Sequence, residues 1–464
     1  ISGFQNFGCK KEDRTSCLNE KKFDIVKLFQ REREQKENNM SNRGRITREC
    51  EHLNRKRNVF EGSIDNRSFF QNIRGDLLVS GESAGDQEMI LNLVESCMEK
   101  ADMPIILLSG HPGVFTELQR RRTQGVISNV RIASPSEKIY HPFLGMSKQQ
   151  IQRFVSLAAE KMGIGVLIGK VMIYTAALLD IVAAKYPVSL PAMTGLLEED
   201  DDVISEVAME CGLSNVVEDN IRSNHEAGIV LRRICGKLEE VFEEVYTPGN
   251  DAGYSFATGI REHGRLFAFY TASRDYQILN TCLKEELYNC LKQGTRLRVI
   301  LDEMIFENEE DELLRYLLRE KMQGRIELMF LAQNPVKWLP EAADLAFANV
   351  VMFPQQTPAA TDVVSERLFS TYQHYFPAPT AGTPPHLFFT FQKAVNWQIQ
   401  SEQRLRVQSN DLYQTPSRWG TVADYLAVKT MESNNIFLVP TEVFMQSGVA
   451  YQLTNKEGNR KDET

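Results

Sequence analysis

Seven short apolar runs that do not alternate with polar residues constrain this chain more than anything else in it. They occupy 77–81 (LLVSG), 103–110 (MPIILLSG), 126–133, 264–272, 296–304 (RLRVILDEM), 325–334 (RIELMFLAQN) and 347–353. A strand apolar on both faces has to be covered on both. Amphipathic helical stretches separate several of the runs, at 88–100, 279–293 and 310–323. That succession predicts a mainly parallel α/β sheet flanked by helices. From 147 to 244 the pattern is helical nearly throughout, which predicts an all-α insertion.

The expected organisation follows from composition. Residues 1–60 are a polar, charged N-terminal segment. The α/β domain takes 61–146 and 245–355, with the insertion at 147–244 between its halves. Residues 356–385 read as a Pro/Thr-rich linker, 386–455 as a small C-terminal segment and 456–464 as a disordered tail. The stretch 162–184 has the length of a membrane span, but Lys170 and Asp180 interrupt it, so a buried helix is expected.

With 464 residues and a formal net charge of -9, the surface as a whole does not suit a nucleic-acid binder. A local basic arm remains: Arg43, Arg45, Arg48, Arg55, Lys56 and Arg57, diluted by Glu49 and Glu51. Such an arm would touch nucleic acid or acidic lipid. The eight cysteines form no CxxC pair, as expected of reduced thiols in a cytosolic protein. The sequence opens on Ile, as a piece of a longer chain would, and shows no signal-peptide pattern there. The expected location is the cytoplasm, including the inner face of the cell membrane.

The chemistry gathers at strand ends. The run at 298–303 closes on Asp302-Glu303. In a P-loop NTPase an Asp so placed holds Mg²⁺ and a Glu polarises the attacking water. The next strand closes on Gln333, placed to reach a γ-phosphate and that water. The first strand runs into Gly81-Glu82-Ser83-Ala84-Gly85-Asp86-Gln87-Glu88 and then a helix, which is the setting of a phosphate-binding loop. The residues are wrong for one. Aligned on Gly81, Asp86 replaces the second Gly, Gln87 replaces Lys and Glu88 replaces Ser/Thr. Carboxylates would face a polyanion and the cation is gone, so the electrostatics are inverted. Gly81 to Gly85 also fits G-x-S-x-G, which offers a serine hydrolase using Ser83, with His374 or His386 as its histidine.

Taken together, residues 58 to 355 resemble the motor domain of conjugative coupling proteins. These are the TraG/TraD-type ATPases of type IV secretion, in the FtsK–HerA superfamily of P-loop NTPases. The resemblance is carried by LLVSGESAG, by the phrase from Asn129 to Val155 with its YNPF-like element, by the all-α insertion, and by RVILDEM followed by ELMFLAQNP. It implies an ATP- and Mg²⁺-dependent hexameric pump of DNA or protein at a membrane channel. Asp302, Glu303 and Gln333 carry over by position, and Gly81 as backbone. Ser83 and Gly85 lie in the matching loop, while Gln87 and Glu88 do not carry over as ligands.

The expected function is a catalytically impaired relative, a pseudo-ATPase. It would serve as a structural or recruiting subunit of a conjugation-like or type IV secretion-like machine. Expected partners are further copies of the chain and proteins of that machinery, with DNA in reach. Membrane contact would come through partners or through an anchor outside this sequence. The alternatives are an active ATP-driven translocase with a non-standard phosphate site, and the Ser83 hydrolase.

Overall fold

The computed structural model describes residues 42–100, 102–165, 167–246, 253–261, 265–272, 275–292, 294–303, 306, 311–341, 345–379, 397–413, 425–431 and 435–445. They fall into two compact units. The larger spans 59–370 and 407–445; the smaller spans 42–58 and 371–406.

In chain order the elements are α1 (42–54), β1 (Val59–Glu61), α2 (Asn66–Asn72), β2 (Leu77–Ser80), α3 (Gln87–Lys100), β3 (Ile105–Ser109), α4 (Pro112–Thr123) and β4 (Val130–Ala133). Six helices follow: α5 (Lys148–Lys161), α6 (Ile168–Lys185), α7 (Leu190–Leu197), α8 (Asp201–Glu210), α9 (Asn215–Ser223) and α10 (His225–Val241). The α/β pattern then resumes with α11 (Phe256–Arg261), β5 (Leu266–Tyr270), α12 (Tyr276–Lys292), β6 (Leu297–Asp302), α13 (Glu312–Met322), β7 (Ile326–Ala332), α14 (Pro335–Trp338) and β8 (Asn349–Met352). The last are α15 (Pro358–Phe369), β9 (Thr371–Pro379), β10 (Trp397–Leu405), α16 (Ser409–Leu412), β11 (Tyr425–Lys429), β12 (Ile436–Pro440) and α17 (Thr441–Met445).

The large unit is built on a ten-stranded sheet of order β1-β12-β11-β8-β2-β7-β6-β3-β5-β4. From β8 to β4 every pairing is parallel; β11 alone runs antiparallel to its neighbours. Side chains alternate across it. Leu77 and Val79 of β2 enter one core beneath α2 and α3, and Leu78 enters the other, shared with α12 and α13. This covering of both faces is what the unalternating strands require.

Composition and structure divide the chain differently. Inside the stretch expected as linker, Thr357 caps α15 by accepting from the Ala360 N–H, and Pro358 sits at the first helical turn. Both favour a helix start. Within 386–455, β11 and β12 join the large sheet. The acidic run Glu198 to Asp202 joins two helices: Glu198 to Asp200 are exposed between α7 and α8, and Asp201 and Asp202 begin α8. Asp200 is the N-cap of α8, and Asp201 and Asp202 fill its first turn, where carboxylates meet the positive end of the helix dipole. Residues 456–464 and most of 1–60 lie outside the described residues. Among the described residues, no single helix is long and apolar enough to cross a membrane.

The helical block α5–α10 leaves and rejoins the sheet through one neck. Tyr254 N–H donates to Ile139 O (2.7 Å) and His141 N–H to Tyr254 O (3.0 Å). Between them Tyr140 is fully buried, ringed by Phe242 and Phe269 (both 4.9 Å between centroids) and Phe256 (6.1 Å). Its hydroxyl donates to Glu286 Oε1 of α12 at 2.9 Å. Burial pushes the Glu286 carboxyl up from its ordinary 4.5 to about 7, against the favourable bonds from Tyr140 and the Phe256 amide.

The small unit pairs β9 with β10 as an antiparallel ribbon. Asn54, at the end of α1, bonds both backbone groups of Tyr375 (2.8 and 2.7 Å). Arg57 and Arg406 each donate from Nε to the other's carbonyl (2.7 and 3.1 Å).

Candidate functional site

The carboxyl ends of β2, β7, β6 and β3 lie side by side, and open parallel sheets bind ligands at such ends. Here they surround a cavity of about 240 Å³ lined by Glu82, Ser83, Gly85, Asp86, His111, Asp302, Glu303, Leu331 and Gln333. The cavity thus gathers Ser83, Gly85, Asp302, Glu303 and Gln333, drawn from three strand ends far apart in sequence. It does not gather Gln87 or Glu88.

Gly81 leaves β2 with φ at +109°, in the region that favours glycine. A Cβ there would meet Phe353 Cβ and O at 2.7 Å. Its N–H points back into the sheet, toward Gln333 O (3.1 Å) and Ala332 O (3.3 Å). Gln355 closes the same corner: its amide donates to Gln333 O (2.6 Å) and accepts from Gly81 N–H (3.2 Å).

After Gly81 the chain folds through two successive turns. Ala84 N–H donates to Gly81 O (2.9 Å) and Asp86 N–H to Ser83 O (3.2 Å). Glu82 N–H reaches Pro354 O (3.4 Å), and Glu88 N–H donates to the Asp86 carboxylate (2.9 Å). A phosphate loop turns such N–H groups toward an anion. In this one they are held inside the protein, and Asp86 supplies the negative charge at the start of α3. Gln87 turns out of the loop, with Nε2 on Gly113 O at 3.2 Å; a Cβ at Gly113 would sit 2.2 Å from Gln87 Oε1. That packing keeps Gln87 from the position of a phosphate-binding lysine.

Asp302, 2% exposed, accepts from Ser109 Oγ (3.1 Å) and lies 3.2 Å from His111 Nε2. His111 is anchored through its own N–H to Ser109 Oγ (3.2 Å). Glu303 Oε2 accepts from the indole N–H of Trp338 at 2.7 Å. Sequence reasoning missed His111 and Trp338. His111 follows strand β3 in the phrase Ser-Gly-His-Pro-Gly, and a polar residue at a parallel strand's carboxyl end was the available signal.

The residues present do not fit Mg²⁺-nucleotide. The lining carries four carboxylates and neither Lys nor Arg. Pockets that hold drug-sized ligands run to roughly 300–1,000 Å³, larger than this cavity. Among the described residues, no three His, Cys, Asp or Glu side chains are grouped to hold a metal ion. The hydrolase constellation is also incomplete. Ser83 is not among the positive-φ residues, so it lacks a nucleophile elbow's strained turn, and the Ala84 N–H is bonded within the loop. No hydrogen bond joins Ser83 to His111 among the described residues. His374 belongs to the small unit, and His386 lies outside the described residues.

No family model and no curated protein matches the sequence. Solved structures do align with it. The bacterial conjugative coupling protein TrwBdeltaN70, in complex with sulphate, is 11% identical with a TM-score of 0.49, over 82% of this chain and 89% of that one. The plasmid coupling protein TrwB in complex with ADP and Mg²⁺ is 12% identical with a TM-score of 0.47, over the same shares. VirB4 of Thermoanaerobacter pseudethanolicus is 10% identical with a TM-score of 0.38, over 67% of this chain and 87% of that one. These are loose likenesses, with every TM-score below 0.5; the sheet itself is mostly parallel and flanked by helices.

Proposed function

We infer that this chain is a relative of the coupling-protein ATPases that has given up phosphoryl transfer. On this reading it serves as a structural or recruiting subunit of a conjugation-like or type IV secretion-like machine. One observation carries the loss of chemistry: the N–H groups of Glu82, Ala84 and Asp86 in the turn after β2 are bonded inside the protein, and Asp86, not a phosphate, stands at the start of α3. A triphosphate there would meet Asp86, Asp302, Glu82 and Glu303. Each like-charge contact near 4 Å costs about 4 kcal/mol at an effective dielectric constant of 20. The link to transfer machines comes from the sequence phrases that resemble that family. Its partners would be proteins of the machinery and further copies of the chain, with DNA handled in their company.

The test is equilibrium binding of a fluorescent ATP analogue, with and without Mg²⁺, to the unaltered chain and to D86G/Q87K/E88S. The expected result is no binding at high micromolar nucleotide by the unaltered chain, and binding gained in the variant. Clear Mg²⁺-dependent binding by the unaltered chain would sink the reading.

A second reading is favoured by the gathering of Asp302, Glu303 and Gln333 in one cavity. It is an active ATPase whose missing cation comes from an Arg of a neighbouring subunit. Under it, Glu303→Gln abolishes turnover; under the first reading that substitution changes nothing.

A further inference from the structure

The small unit carries a charge opposite to that of the chain. Its described stretches, 42–58, 371–379 and 397–406, hold eight Lys and Arg against Glu49, Glu51 and Glu402, a net +5 within a chain of -9. The charge is ordered by the helix. Arg45, Arg48 and Arg55 are spaced three and seven residues apart, so they share one face of α1 and its closing turn. The opposite face carries the buried Ile46 and Cys50. All three arginines are exposed, and among the described residues none is paired with a carboxylate; Arg45 bonds only Asn42 (3.3 Å). Glu49 and Glu51 flank that face.

The ribbon adds aromatic rings. Tyr372, His374 and Phe376 stand at alternate positions of β9 and share a face. Burial first, then the nearby Arg404, pushes the His374 imidazole below its ordinary value, so it adds no cation at neutral pH.

A cationic unit with aromatic rings suits either a single-stranded nucleic acid or an anionic bilayer. The rings decide between them. Base stacking needs open ring faces. His374 and Phe376 are stacked on each other at an interplanar angle of 20°, and the Arg43 guanidinium covers the Trp397 ring at 4.5 Å. A bilayer needs only the charge and half-buried rings at headgroup depth.

We propose that the small unit docks on an anionic lipid surface through the arginine face of α1. The apolar face of that helix is already buried in the protein, so attachment is electrostatic and salt-sensitive. This does not depend on the state of the nucleotide site.

Co-sedimentation of the full chain with vesicles of phosphatidylcholine, alone or with phosphatidylglycerol added, tests it. Binding is expected only with phosphatidylglycerol, and release is expected on raising salt. R45Q/R48Q/R55Q should partition about a hundredfold more weakly, at about fivefold per arginine near an anionic surface, with an unchanged circular dichroism spectrum. The proposal is overturned by no phosphatidylglycerol-dependent binding, by binding that persists in high salt, or by a folded variant that binds as before. It is also overturned if a mixed-sequence single-stranded oligonucleotide displaces the chain from the vesicles.

Discussion

The neck of the helical block should make stability depend on pH in a way that one substitution removes. Glu286 is fully buried; among the described residues its side-chain partner is the Tyr140 hydroxyl, and its Oε2 has no hydrogen-bond partner. Its carboxyl titrates at about 7 in the folded chain and near 4.5 when unfolded. Between those values the unfolded state has lost its proton and the folded state has kept it. Stability therefore falls as pH rises from about 4.5 to 7 and is level beyond, with about 3 kcal/mol lost across that window. Cys282 and Glu285 of α12 are themselves pushed up by burial. In Glu286→Gln the amide oxygen still accepts from Tyr140 and nothing titrates. The buried NH₂ adds a cost of about 1–3 kcal/mol, but that cost is the same at every pH. The measurement is the urea midpoint of both proteins from pH 5 to 8, with hydrogen exchange followed in peptides covering Tyr140 and Tyr254. Unaltered protein should lose stability relative to the variant by about 2.5 kcal/mol over this range, the rest of the loss lying below about pH 5. Parallel pH profiles would refute the reasoning, because they would mean that Glu286 is ionised in the folded neck.

Two further substitutions probe the frame of the cavity. Gly81→Ala brings a Cβ within 2.7 Å of the Phe353 backbone at a φ that L-residues avoid. It should cost about 2 kcal/mol or more, read as a lowered thermal midpoint; an unchanged midpoint would show that the β2 turn relaxes freely. Arg298, 2% exposed at the start of β6, bonds Asp102 (3.0 and 3.1 Å) and Glu327 (2.6 Å). Arg298→Gln should cost about 3–5 kcal/mol in chemical unfolding by leaving Glu327 uncompensated, and a loss under 1 kcal/mol would contradict that.

The sheet was legible because burial on both faces leaves an unalternating apolar run, and all seven such runs contain strands. Their limits were less so. The run at 126–133 yields a strand only from Val130, because Asn129 turns left-handed (φ 59°) and Val126 is 64% exposed. The strand β12 has the same apolar signature, Ile-Phe-Leu-Val-Pro, and pairs with the neighbouring β11, but the strands that tie this pair into the large sheet, β8 and β1, come from distant chain segments, so nothing local marked it as part of that sheet. The site divides in the same way. Asp302, Glu303 and Gln333 were readable as strand-end residues. Their real partners were not: Ser109, His111 and Trp338 are brought to them by strand order alone. The fate of Gln87 was equally hidden, since it depends on the bare Cα of Gly113.

The neck has a consequence for how such a chain can change over generations. The segment that leaves at Tyr140 returns at Tyr254, directly beside it, bonded backbone to backbone. To the sheet, everything between those residues is a loop whose ends are already joined. Lengthening such a loop costs only slowly growing closure entropy. The outer helices of the block can therefore be enlarged or trimmed while the strand order, and the cavity it creates, stay as they are; α5 is tied down, because it packs on α12 through Gln150–Asn289 and Arg153–Glu285.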